Sequence, residues 1–317
     1  LRVLVTGAHG CIGTWIVKQL LEQHHEVVIY DVDPEPRRLR LLAGDALAAR
    51  PKLIQGAIED TAHVKSVVRD EAITHIVHLA AVLMPYCQQN PVSGGLIDVI
   101  GTLNVFEAAR DAGRDVRVAY ASSSAVWGPE DAYEDRKLTE ADPLLPATHY
   151  GVFKQANEGN ARVFFTANDI SSVGLRPWAV YGFGRDIGLT ADPSLALRAA
   201  VEGKPFHIRI GGKMDLQYVA DVAAIFLGCL FSPRTGAFAF NLAGDIVPMA
   251  DFGAVVETVR PGAGALITAG GNAVTVAHRM DDAALQAFLG TVPRTPLAEG
   301  IRETLSIYER LMREGRL

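Results

Sequence analysis

Cysteine is scarce: Cys11, Cys87 and Cys229 are the only three in 317 residues, and no two form a C-x-x-C pair. Neither a disulfide framework nor a structural zinc site is expected, no other metal is predicted, and a reducing, cytoplasmic setting fits. Runs of one charge are missing as well. With a formal net charge of −6 and no basic cluster, the chain lacks the footprint that nucleic acids or anionic membranes require, and neither is expected as a partner. No uninterrupted apolar stretch approaches the roughly 20 residues of a bilayer-spanning helix. The opening run "LRVLVTG" is strand-like, not a charged segment followed by an apolar one, so a removed signal peptide is not expected. Internal repeats and low-complexity tracts are also missing.

What the chain has is hydrophobic residues, 49% of the total against 21% charged, enough for a sizeable globular core. Short β-branched runs alternate with longer periodic ones: "RVLVTG", "TWIVKQLLEQ", "EVVIYDVD", a polar helical stretch to about Arg50, then "KLIQGAIED". "HIVHLAA", "VRVAYASSS" and "SSVGLRPWAVYG" continue as strands, with "GGLIDVIGTLNVFEAARDAG" as a helix between the first two. In that helix Ile97, Ile100, Val105 and Ala108 stand near helical spacing and predict its buried face. This order predicts right-handed βαβ crossovers and a doubly wound parallel sheet, an α/β fold. After Gly182 the alternation breaks and Gly and Pro become frequent. The reading is a dinucleotide-type domain over 1–182 and a smaller mixed region over 183–317 that covers the strand ends. The chain is expected to cross back to the sheet and to end in an amphipathic helix near "LAEGIRETLSIYERLM".

"VTGAHGCIG" joins the first strand to the first helix and sets Gly7, Gly10 and Gly13 at G-x-x-G-x-x-G spacing. Such a turn lets the backbone approach a pyrophosphate and present helix N-terminal amides to it. Asp31 ends the second strand, where a carboxylate accepts from ribose hydroxyls and repels a 2′-phosphate, so NAD is favoured over NADP. Arg37 and Arg38 follow and are the competing reading, as holders of that phosphate. Asp60, after the third strand, could accept from an adenine amine or simply cap the helix from Thr61. Cys11 within the loop is expected to pack beside the cofactor rather than to react.

"HYGVFKQANEG" places Tyr150 and Lys154 four residues apart, on one helical face. Alone the spacing reads as a solvated surface. Behind a dinucleotide cradle it reads as a phenol beside an ammonium, a base whose ordinary pKa near 10 must be lowered to work at neutrality.

The ordered set "TGAHGCIG", "HLAA", "IGTLNVFEA", "ASSSAVWG", "YGVFK", "LRPWAVYG" and "YVADVA" resembles the extended short-chain dehydrogenase/reductase family, the branch of NAD-dependent epimerases and dehydratases. The resemblance covers nearly the whole chain and implies a Rossmann core. It implies that Tyr150 is the general acid/base and that Lys154 lowers its pKa and holds the nicotinamide ribose. Ser123, four residues before Trp127, would align the reacting oxygen. The cofactor groove would comprise Gly7, Gly10, Cys11, Ile12, Gly13, Asp31, Ile58, Asp60, Leu79, Ala80 and Ala81 together with Tyr150 and Lys154. Helices that relatives pair into a dimeric bundle imply a homodimer.

Departures from the pattern narrow the chemistry. Ser124 and Ala125 stand where dehydratases carry Asp-Glu, which disfavours water elimination. Met214 stands where the pattern has the arginine that grips a nucleotide-sugar diphosphate, Asp98 replaces an asparagine, and the "VYGPG" turn reads "VYGFG". A thioether cannot neutralise a diphosphate. The expected substrate is therefore a smaller carbohydrate-like molecule, a free sugar, sugar acid or polyol, met by Met84, Ser124, His149, Arg185 and Met214. The expected activity is NAD-dependent hydride transfer at a secondary alcohol. A nucleotide-sugar epimerase that retains NAD is the alternative within the same chemistry, and a non-catalytic dinucleotide-sensing protein is the alternative outside it.

Overall fold

Val3 and Val5 of the first strand enter one hydrophobic cluster while Leu4 between them enters another, so the period of two sorts this strand onto both faces of a buried sheet. The computed structural model describes residues 1–317, the side chain of Leu189 excepted. Its strands are β1 (Arg2–Thr6), β2 (Glu26–Asp31), β3 (Lys52–Gln55), β4 (His75–His78), β5 (Arg117–Ala121), β6 (Ser172–Arg176), β7 (Ala179–Tyr181), β8 (Phe206–Ile208), β9 (Lys213–Tyr218), β10 (Ala237–Asn241), β11 (Asp245–Pro248) and β12 (Ile267–Ala269). Seven form one sheet in the order β10-β6-β5-β4-β1-β2-β3. Every pairing in it is parallel, as helical crossovers demand.

The order reverses between β1 and β4, because the chain builds β2 and β3 to one side and returns to build β4 to β6 on the other. A crevice opens outside the carboxyl ends of strands at such a switch point. Helix α1 (Cys11–Glu22) leaves β1 there and buries Trp15, Ile16, Val17, Leu20 and Leu21 against the sheet. A sheet of order β11-β9-β7, begun by β7 just before Gly182, and a β12-β8 pair hold the later segments, while β10 rejoins the main sheet beside β6.

The helix predicted over residues 94–113 is not regular. Leu96–Ile100 forms a π turn ahead of the α-helix Gly101–Asp111. The wider turn slips the side-chain phase, so Ile100, expected inside, is exposed, and Asp98 is buried in its place. Val105 and Ala108, beyond the slip, are buried as predicted. Pro91–Asp111 is long and apolar enough by length and composition to cross a bilayer, although Asp98 and Glu107 interrupt it and half of its most apolar window is buried inside the protein.

Candidate active site

The loops after β1, β4 and β5 converge on a cavity of about 970 Å³, at the upper end of the range for ligand pockets. Its floor is the glycine turn. Gly7 has φ +64°, and a Cβ there would stand 2.6 Å from the Ala80 nitrogen, while one on Gly13 would stand 2.5 Å from the Gly7 carbonyl oxygen. No side chain fits at either position, so the turn packs backbone against backbone, Gly7 on Ala80 and Gly13 on Gly7 and Ala8. Gly10, Cys11, Ile12 and Gly13 line the same cavity, and the first amides of a helix have no intrahelical acceptor. These features suit a pyrophosphate.

Asp31, at the end of β2, does not line the cavity. Its carboxylate accepts from the His9 amide at 2.9 Å and from the Asp33 amide at 3.1 Å, which fixes its pose at the loop. Arg38 lines the cavity, but its guanidinium is engaged: it donates to the His9 carbonyl at 2.7 Å and to Asp186 at 2.6 Å. Arg37 is exposed on the helix surface. The Cys11 thiol lines the cavity, and burial pushes it up to about 12, so it is a packing thiol at neutral pH.

The proton-handling end is built by the helix His149–Asn168, capped by the Thr148 hydroxyl on the Gly151 amide. Tyr150 and Lys154 both line the cavity, and the Lys154 ammonium lies 5.4 Å from the centre of the phenol ring. Burial raises the Tyr150 phenol above its ordinary value. Lys154, the Ser123 hydroxyl and Arg185 pull it down, and Asp98 adds to the rise. Without a further positive charge beside it, the phenol stays protonated. The ammonium alone therefore does not bring it to a working pKa.

Three serines follow β5, and packing separates them. Ser122 donates to Glu158 at 2.6 Å and is buried, Ser124 is buried, and the half-buried Ser123 hydroxyl accepts from the Ala125 amide at 3.1 Å while bearing on Tyr150. Behind them Glu158, one turn beyond Lys154, pairs with Arg176 through two bonds of 2.8 and 2.7 Å. That buried pair ties the Tyr150 helix to β6 and, through Ser122, to the serine loop. His78 is a packing residue, held between the hydroxyls of Thr6 and Thr102, and burial pushes it down to about 3.

The cavity brings together Gly7, Gly10, Cys11, Ile12, Gly13, Leu79, Ala81, Met84, Ser123, Ser124, Tyr150, Lys154 and Arg185. Other expected residues lie apart. Asp60 caps the helix Thr61–Asp70 by accepting from the His63 amide, and Ile58 packs against Gly101. Ala80 meets the glycine turn by its backbone. His149 is exposed and stacks on Phe153, outside the cavity wall. Met214 is corrected outright: it is fully buried in β9, between β11 and β7, where a strand's alternate residues face the core. Sequence reasoning also missed Trp178, Asp192, Arg209 and Val276, which reach the cavity only through tertiary packing.

Residues 3–243 match the model of a family described as the NAD dependent epimerase/dehydratase family. The chain is 30% identical over 246 residues to UDP-glucuronate 4-epimerase 3 of Arabidopsis thaliana, covering 72% of this chain and 54% of that one. It is 29% identical to a UDP-glucose 4-epimerase of Mycolicibacterium smegmatis, covering 97% and 98% of the two chains. The crystal structure of Thermus thermophilus UDP-glucose 4-epimerase in complex with NAD superposes with a TM-score of 0.82 at 25% identity, over 97% of this chain and 99% of that one.

Proposed function

The chain belongs to the NAD dependent epimerase/dehydratase family and is an NAD-dependent enzyme, and on that premise we propose that it transfers hydride at a secondary alcohol of a sugar-like substrate. The supporting observation is that Tyr150, Lys154 and Ser123 share one cavity with the glycine turn. NAD, when bound, supplies the hydride acceptor and a positive charge near the phenol. Tyr150 takes the carbinol proton at its Oη. Lys154 favours the phenolate, and Ser123 orients the substrate oxygen by a hydrogen bond. Ser124 and Ala125 carry no group that removes a proton from carbon, so elimination of water is not proposed.

Arg185 supports an acidic substrate. It lines the cavity, donates to the Thr190 hydroxyl at 3.0 Å, and keeps a buried Nε with no partner among the described residues. With Met214 in the core, these features favour a free sugar, sugar acid or polyol. The relatives named as UDP-sugar 4-epimerases favour a second reading, in which NADH is retained and hydride returns to the opposite face. The test is a panel of sugars, sugar acids and nucleotide sugars, followed by NADH absorbance and by product analysis. Net NADH is expected with a sugar or sugar acid. Inverted product without NADH would replace this reading by the epimerase one.

We propose further that the enzyme is a homodimer and, with its three cysteines free, works in the cytoplasm. Val92, Leu96 and Ile100, spaced by four, are exposed on one helical run, and Val152 and Val163, three turns apart, are exposed on its neighbour. A Leu96→Glu/Val163→Glu variant is expected to be monomeric by light scattering. A wild-type protein that is already monomeric at micromolar concentration would remove the claim.

A further inference from the structure

The cavity also carries a charged pair with no place in the proton-transfer scheme. Asp192, at the start of the helix Asp192–Val201, accepts three hydrogen bonds from a single residue. They come from the Arg209 amide at 2.7 Å, its Nε at 3.0 Å and its Nη2 at 2.6 Å. Both residues line the cavity. Their exposures are opposite: the Asp192 side chain is 0% exposed and that of Arg209 is 72% exposed. Burial would raise the Asp192 carboxyl, but the Arg209 bonds overcome this and hold it below the ordinary range. The carboxylate is thus consumed in orienting the guanidinium. Nη1 has no acceptor among the described residues, so it remains available on the exposed side. A planar fork fixed in advance loses little freedom when it meets an anion.

Arg209 lines the same cavity as Ser123, Tyr150 and the apolar residues Trp178, Ile210, Val274 and Val276. Two further arginines line it: Arg38, paired with Asp186, and Arg185, whose Nη2 donates to the Thr190 hydroxyl. Arg209 differs in presenting a largely exposed guanidinium against a carboxylate that is wholly buried.

We propose that the substrate carries an anionic group, phosphate or carboxylate, and that Arg209, clamped by Asp192, selects for it. This rests on the hydride-transfer reading above. Arg209 is a specificity residue and takes no part in moving the proton.

The test measures binding, not turnover. The Tyr150→Phe protein loaded with NAD is titrated calorimetrically with glucose, glucose 6-phosphate and gluconate, so that neutral, phosphate and carboxylate arms are compared. One anionic arm is expected to bind about ten- to a hundredfold more tightly than glucose, the range of one charge-assisted hydrogen-bonded contact. The double variant Asp192→Asn/Arg209→Gln, which leaves no lone buried carboxylate, should erase that difference while keeping the melting temperature and NAD affinity. Equal binding of all three ligands, no binding of either anion, or a preference that survives the double variant would overturn the proposal. The hydride-transfer reading is scored separately, by NADH and product formation in the wild-type protein.

Discussion

Tyr150→Phe is expected to lower turnover by about 10²–10⁴-fold, the range of a lost general acid/base, while NAD affinity stays nearly unchanged. The ring keeps its packing beside Lys154 and the cavity keeps its shape, and only the transferable proton is gone. The pH dependence has a definite sign. Burial sets the phenol above its ordinary value, so alcohol oxidation, which needs phenolate, should rise with pH, and carbonyl reduction, which needs phenol, should fall. Rates measured in both directions across neutral to alkaline pH check this. A Phe variant with wild-type rate, or an oxidation rate flat in pH under conditions where chemistry limits, would remove Tyr150 from the role.

Arg176→Met should be the most destabilising of the changes considered. The Glu158 and Arg176 side chains are 1% and 4% exposed, and the other bond partner of Glu158 is the neutral Ser122 hydroxyl. Removing the arginine leaves a buried carboxylate facing only the Ser122 hydroxyl, a loss of about 3–5 kcal/mol against a total stability of roughly 5–15 kcal/mol. Urea denaturation gives the number. The double variant Glu158→Gln/Arg176→Met should recover part of it, because the penalty belongs to the unpaired charge more than to the missing contact. A single-variant loss below about 1 kcal/mol would mean that water or rearrangement satisfies Glu158. The pair lies directly behind Ser122 and one turn past Lys154, so activity should fall with stability in this variant.

The two expectations differ in kind. Tyr150 acts on substrate and its loss is chemical, whereas Arg176 touches neither the cavity surface nor the reacting atoms and acts by holding the helix against the serine loop. A catalytic defect without a stability defect for Tyr150→Phe, and a stability defect that carries activity down with it for Arg176→Met, would separate them in one set of measurements.

The sequence by itself determined the sheet, the glycine turn and the Tyr150–Lys154 face, because each is a local pattern. Alternation of strand and helix signals dictates crossovers, the spacing of Gly7, Gly10 and Gly13 dictates a turn without side chains, and four residues make one helical step. Ser123 was singled out from three adjacent serines only by the family pattern, and Ser123 and Ser124 both line the cavity. The tertiary structure decided what no local pattern encodes. A π turn exchanged Ile100 for Asp98 in the interior, because one wider turn shifts every side chain after it. Met214 went to the core of β9, between β11 and β7, whereas the cap at Asp60 was one of the two roles its place before Thr61 already offered. Asp192 and Arg209 stand 17 residues apart and meet only because a helix start and a strand end are packed together, so the charge they bring to the cavity belongs to the fold and not to either segment.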